Sequence, residues 1–191
     1  MVLSGEHIIK EKSSLKEKII QKIGSDTYSN LSEYVDMIGS STSVIFTTNP
    51  FNVSNINSEV NSIVNLRKVN GIRYINKFFN TVNEQLSIGE QFICCVETIQ
   101  GRRRRQKINK IPIVRNLYYA IEFFSLRAAP KIWGVKKVYF FVTRGRRRLL
   151  SKAEVLGRLV CCGFEIIEHK HLNGLTYIVV KKNSAPSFDS N

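Results

Sequence analysis

Residues 41–182 read as one α/β domain, a three-layer arrangement around a mostly parallel sheet that ends in an antiparallel C-terminal hairpin and carries a basic helical insert at 101–150. A strand-type run at 61–66, an amphipathic helical pattern through 72–86 and an apolar strand at 91–96 make a βαβ unit, which requires parallel pairing and a right-handed crossover. Asn173-Gly174 stands between two further strand-like runs, and Asn-Gly in that setting is the strongest short hairpin signal. The third observation is charge. Sixteen of the 29 Lys and Arg residues fall between Gly101 and Lys152 with Glu122 as the lone acid, so this window nets +15 while the rest of the chain nets −1. At 191 residues with 43% hydrophobic composition, the chain suits one domain with a packed core.

The elements follow in order. Residues 1–40 read as two helices: Ser13 to Ile23, with Leu15, Ile19, Ile20 and Ile23 among lysines and glutamates, then a second from Ser25-Asp26 to near Gly39 carrying Tyr28, Leu31, Val35 and Ile38. The first is an amphipathic helix rather than a secretory apolar core. Ser43 to Thr48 is β-rich, Asn49-Pro50 breaks it, and an Asn/Ser-rich loop leads to the strand at 61–66. Ile72, Ile75, Phe78, Phe79, Val82 and Leu86 keep helical spacing, and Gly89 precedes the continuous apolar strand Gln91–Val96. After the basic window, Ser151-Lys152-Ala153-Glu154 is a capping box that starts a helix with Val155, Leu159 and Val160, and Gly163 suits its left-handed end. Strands at 164–169 and 176–180 flank the Asn-Gly turn, and 183–191 read as a linker or tail. No run of 18 apolar residues occurs, so nothing is expected to span a bilayer.

Cys94-Cys95 and Cys161-Cys162 each lie within apolar runs and lack zinc-type spacing, which predicts reduced, buried thiols and no metal. No G-x-G-x-x-G, nucleophile elbow, P-loop lysine or H-E-x-x-H is present. Glu97 follows a strand and is expected at the C-terminal sheet edge, where a carboxylate is more often a structural cap than a base. The order strand, helix, strand, then "CCGFEII" and a hairpin resembles the C-terminal half of a Rossmann-like methyltransferase, although the glycine-rich cofactor turn has no counterpart. That likeness implies a degenerate methyltransferase-type architecture without cofactor.

Longer stretches carry a second resemblance. "NSIVNLRKVNGIRYINKFFNTVNEQL" (61–86), "GEQFICCVET" (89–98), "KKVYFFVTRGRRRLLSKAEVLGRLVCCGFEIIEH" (136–169) and "LNGLTYIVVKK" (172–182) are similar to the N-terminal region of bacterial sugar transferases. These are the polyprenyl-phosphate phosphoglycosyl transferases of exopolysaccharide synthesis, and the likeness covers about two-thirds of the chain. "PSFDSN" (186–191) resembles the linker that leads into their catalytic part. The family's Lys-x-Arg-[Ser/Thr]-Met segment and its Asp-Glu pair before Leu-Pro are not matched within residues 1–191, so no catalytic residue is carried over. The resemblance implies a non-catalytic accessory domain that holds an enzyme of exopolysaccharide or capsule biosynthesis at the cytoplasmic face of the cell membrane, or binds a partner, such as the catalytic domain, or a regulatory ligand.

The basic window suits that place. Its cations are Arg102, Arg103, Arg104, Arg105, Lys107, Lys110, Arg115, Arg127, Lys131, Arg144, Arg146, Arg147 and Arg148, with Lys136, Lys137 and Lys152. Between them Ile113, Val114, Leu117, Tyr118, Ile121 and Phe124 keep helical spacing, and Tyr118, Phe123, Phe124 and Trp133 are types favoured at a headgroup boundary. About 1 kcal/mol per basic residue near an anionic leaflet makes this an interfacial membrane helix. The same stripe also fits a helix packed into the core, with its arginines as a solvated face. Two alternatives of other classes stand beside these: an S-adenosylmethionine-dependent methyltransferase relative, and a nucleic-acid-binding module, for which Arg clusters beside Tyr and Phe supply phosphate and stacking contacts.

Overall fold

A computed structural model of the chain describes residues 5–56, 60–105, 120–121 and 148–187. Among these the order is α1 (Gly5–Ile23), α2 (Ser25–Ser32), β1 (Thr42–Ile45), α3 (Pro50–Ser54), β2 (Ser62–Lys68), a 3₁₀ turn (Val69–Gly71), α4 (Ile75–Glu84), β3 (Gln91–Val96), α5 (Ile99–Arg105), α6 (Lys152–Cys161), β4 (Phe164–Leu172) and β5 (Leu175–Lys182). The five strands form one open sheet in the order β1-β2-β3-β5-β4. β1, β2 and β3 are parallel, and β5 is antiparallel to both β3 and β4. The expected βαβ unit is present as β2-α4-β3.

Alternation along the central strands explains the layers. Ile63, Phe92, Cys94, Val96, Ile178 and Val180 face a core built with α3, α4 and α6. Their neighbours Val64, Ile93, Cys95, Tyr177 and Val179 face α1, α2 and the turns after them, through Ile19, Ile23, Leu31, Val35 and Met37. A strand buried on both faces reads as a continuous apolar run, which is how β3 reads. On the first face Phe78, Phe79, Phe92 and Phe164 form a chain of ring contacts with centroids 6.2, 6.2 and 5.8 Å apart. Such pairs add roughly 0.5–1.5 kcal/mol each beyond the area they bury.

Several boundaries differ from expectation. The second helix stops at Ser32, not near Gly39. There Asp36 takes the chain into turns, its carboxylate accepting from the Ile38 amide at 3.2 Å and its carbonyl from the Gly39 amide at 3.1 Å. Such local side-chain bonds compete with the helix ladder. β1 stops at Ile45, before Asn49-Pro50, and that pair starts α3 within the expected loop: Asn49 Oδ1 accepts from the Phe51 amide and Pro50 occupies the first turn. Ahead of α4, Ile72 belongs to the 3₁₀ turn's exit, buried but outside the helix.

The C-terminal part follows its signals closely. Ser151 Oγ accepts from the Glu154 amide at 3.1 Å, while the Glu154 carboxylate pairs forward with Arg158 instead of reaching back. Of the apolar residues that α6 carries, Val155 and Leu159 are buried and Val160 is exposed. Gly163 is left-handed (φ +84), and a side chain there would meet the Ser184 carbonyl at 2.3 Å. Residues 183–187 are bound to this corner, Asn183 and Ser184 amides donating to Gly163 O and the Ser187 amide to Cys161 O. Asn173 (φ 48) and Gly174 (φ 76) make the hairpin turn. Asn173 Nδ2 also donates to Ile23 O at 3.0 Å and Thr27 Oγ1 at 2.8 Å, so the turn anchors the α1–α2 corner.

Candidate functional site

The basic insert leaves the sheet at the C-terminal end of β3 and returns to it beside the same point. Thr98 and Leu150 form a parallel bridge, and the Ile99 amide donates to Leu150 O at 3.2 Å. Between these two roots sits Asn70, buried in the 3₁₀ turn after β2. Its Nδ2 donates to Glu97 O and to Arg148 O, both at 2.9 Å, and its Oδ1 accepts from the Glu97 amide at 2.7 Å. The Arg148 amide returns a bond to Asn70 O at 3.2 Å. One side chain therefore clamps the way in and the way out.

Glu97 is where the sequence puts it, at the C-terminal sheet edge. It pairs with Lys68 Nζ at 3.2 Å, a half-exposed bridge of the kind that contributes about 0–1 kcal/mol. Thr98 Oγ1 caps α5 by accepting from the Gly101 amide at 3.1 Å, and the Arg102 amide donates to Thr98 O. A methyl group on Gly101 would come within 2.9 Å of His171 Cε1, so the helix starts pressed against the far end of the hairpin. Arg102, half-buried, and Arg103, exposed, are thus set on capped helical backbone, and Arg104 and Arg105 continue the same helix. Arg148 lies at the opposite root, its Nη1 donating to Arg73 O at 3.3 Å.

The other cations of the proposed surface, Lys107, Lys110, Arg115, Arg127, Lys131, Arg144, Arg146 and Arg147, lie outside the described residues, as do Tyr118, Phe123, Phe124 and Trp133. Of the expected amphipathic stripe, Ile121 is described. It lies on helical backbone and is 58% exposed.

The first turn of the sheet is built differently from a phosphate or nucleotide cradle. After β1 the Thr47 amide donates to Asn65 Oδ1 at 3.3 Å, the Asn49 amide to Thr47 Oγ1 at 3.0 Å and the Phe51 amide to Asn49 Oδ1 at 3.1 Å. Asn65, fully buried on β2, completes the lock by donating to Thr47 O at 2.9 Å and accepting from the Arg67 amide at 3.0 Å. The amides that a glycine-rich turn would present to an anion are committed within the protein. Sequence reasoning missed both Asn65 and Asn70.

The cysteines are free thiols, with Cys94, Cys95 and Cys162 buried and Cys161, contrary to expectation, exposed. Burial pushes the Cys95 thiol up to about 12 against a partial pull from Lys68, and the Cys162 thiol to about 11, above the ordinary 9.0. Burial raises Cys94 too. Buried thiols held protonated are poor nucleophiles and poor ligands. His169 faces Lys152 Nζ at 2.9 Å, and no cluster of three His, Cys, Asp or Glu suited to a metal occurs among the described residues.

No family model matches the chain, and no curated protein matches it. Among solved structures it is similar to a possible exported protein from Bordetella parapertussis, at 11% identity with a TM-score of 0.36 over 65% of this chain. The chain spans 39% of that protein's length. Among the described residues no helix is long and apolar enough to cross a membrane.

Proposed function

We propose that this chain is a non-catalytic accessory domain of a membrane-associated sugar transferase in exopolysaccharide or capsule biosynthesis. It positions the enzyme on the cytoplasmic face of the membrane through its basic insert and packs against the catalytic region. The frame is a degenerate Rossmann-like domain of methyltransferase type, a reading supported by the parallel β1-β2-β3 set continued by an antiparallel hairpin.

The observation that carries the proposal is Ile121. In the stretch with the highest cation density, the described position of the apolar stripe is turned to solvent and not into the core. An exposed aliphatic side chain within a sequence window that holds sixteen cations fits a surface that offers both acyl chains and anionic headgroups. Engagement of the amides after β1 favours an accessory role over that of a cofactor-binding relative, since an adenosyl cofactor would have to break bonds the domain already makes. Titration calorimetry with S-adenosylmethionine is expected to give no heat of binding.

Vesicle sedimentation tests the membrane reading. The chain should pellet with vesicles containing phosphatidylglycerol and far less with phosphatidylcholine alone. Reversing Arg102–Arg105 and Arg146–Arg148 to glutamate should abolish the difference. Equal pelleting with both vesicles, or none, overturns the proposal. Salt-sensitive retention of a nucleic-acid oligomer without vesicle binding would establish the nucleic-acid reading in its place.

A further inference from the structure

Among the described residues, exposed aromatic side chains are concentrated at the edge of the sheet where the insert is rooted. Phe46 follows β1 directly, Phe51 lies on α3 just beyond it, and Tyr74 precedes α4 after the turn that leaves β2; they are 39%, 67% and 61% exposed. All three therefore sit at the C-terminal ends of the parallel strands. The two loops touch, because a methyl group on Gly71 would lie 3.4 Å from Thr48 Cγ2. The Tyr74 loop in turn reaches the insert's exit through the Arg148 to Arg73 carbonyl bond.

Cations accompany the rings. Lys22 Nζ stands 3.8 Å from the Phe46 ring centroid, and the Arg73 guanidinium carbon 5.1 Å from that of Tyr74. Lys68, Arg102, Arg103 and Arg148 lie along the same rim. Large apolar side chains grouped at one edge mark an interaction surface, and aromatics mixed with cations are the composition of a headgroup boundary. At the opposite edge, exposed Ile88 lies in a corner of mixed charge, with Glu84 and Glu90 as sequence neighbours and Lys182 Nζ donating to Asn83 O and Leu86 O.

We propose that the domain docks end-on to an anionic bilayer, with the C-terminal edge of its parallel strands facing the lipid and Phe46, Phe51 and Tyr74 inserted at headgroup level. This rests on the membrane reading above and adds an orientation and a set of contacts that the insert alone does not supply. The N-terminal edge of the sheet then faces the cytoplasm.

Three proteins decide it: wild type, F51S/Y74S at the proposed contact edge, and I88S at the other. Each is sedimented with phosphatidylcholine vesicles containing phosphatidylglycerol, with melting curves to check the fold. F51S/Y74S should bind about tenfold more weakly, given the apolar area it withdraws, while I88S binds like wild type. Should F51S/Y74S melt early, the single F51S on the exposed face of α3 takes its place. Undiminished binding by the contact-edge variant, or an equal loss in I88S, overturns the orientation and leaves the membrane reading standing. A wild-type protein that binds no vesicle overturns both.

Discussion

A primary amide offers two donors and an oxygen with two lone pairs, and Asn70 places three bonds on the backbone of two segments far apart in sequence. It donates to Glu97 O and Arg148 O and accepts from the Glu97 amide. In a buried setting each lost partner leaves a polar group unsatisfied, so Asn70→Ala should cost about 2–3 kcal/mol in urea unfolding. Asn70→Asp separates the clamp from mere packing. It keeps the size and the acceptor for the Glu97 amide but turns lone pairs toward two carbonyls. The loss relative to wild type should therefore be at least as large at neutral pH and shrink under mild acid, as the protonated acid regains one donor. A pH-independent loss equal to that of alanine would show that the hydrogen bonds are not what holds the insert's ends. Nothing in the sequence singles out Asn70 or Asn65, since asparagine is common in this chain and ordinarily marks turns; what sets these two apart is burial together with backbone partners on the segments that leave the sheet, a property of the assembled fold.

At the scale of elements, β3 was legible because its burial on both faces leaves an unbroken apolar run, and the hairpin because Asn173-Gly174 meets the backbone demand of its turn locally. The stop of α2 and the start of α3 were not, because each depends on which of several competent side chains caps the backbone in three dimensions. β3 also carries a testable consequence of its double burial. Cys94 and Cys95 are consecutive and lie in opposite cores, and both are held protonated by burial, Cys95 up to about 12 from 9.0. Their folded values lie above the unfolded one, so their contribution is intact below about pH 9 and declines as pH rises from there toward the folded values. The slope is about 1.4 kcal/mol per pH unit for each thiol. Urea midpoints measured from pH 8 to 10.5 should fall steeply in the wild type and less so in Cys95→Val. Parallel curves for the two proteins would mean that Cys95 titrates alike folded and unfolded.

For the molecule as a whole, the sheet and its two helical layers form one unit, and the insert enters and leaves it where Thr98 bridges Leu150. The charge separates along the same line, +15 in the window and −1 elsewhere, which is the part of the candidate site that composition made plain. Both sheet faces are covered among the described residues, by α1 and α2 on one side and α3, α4 and α6 on the other. The insert's apolar stripe is then not needed to close the core, in keeping with the exposure of Ile121. Replacing residues 103–146 by a Gly/Ser linker tests this directly. The attachment points are no more than roughly 20 Å apart, given the Ile99 to Leu150 bond and three residues on either side. Eight linker residues have a mean span of about 15 Å and reach further when extended, so closure is unstrained. The exchange removes twelve bases and one acid and takes the net charge from +14 to +3. The shortened protein should still unfold cooperatively, near the wild-type temperature, and should lose most of its affinity for phosphatidylglycerol vesicles. Loss of cooperative unfolding would return the stripe at 111–126 to the core and with it the reading of its cations as a solvated face. Retained folding with undiminished vesicle binding would move the membrane contact from the insert to the aromatic rim.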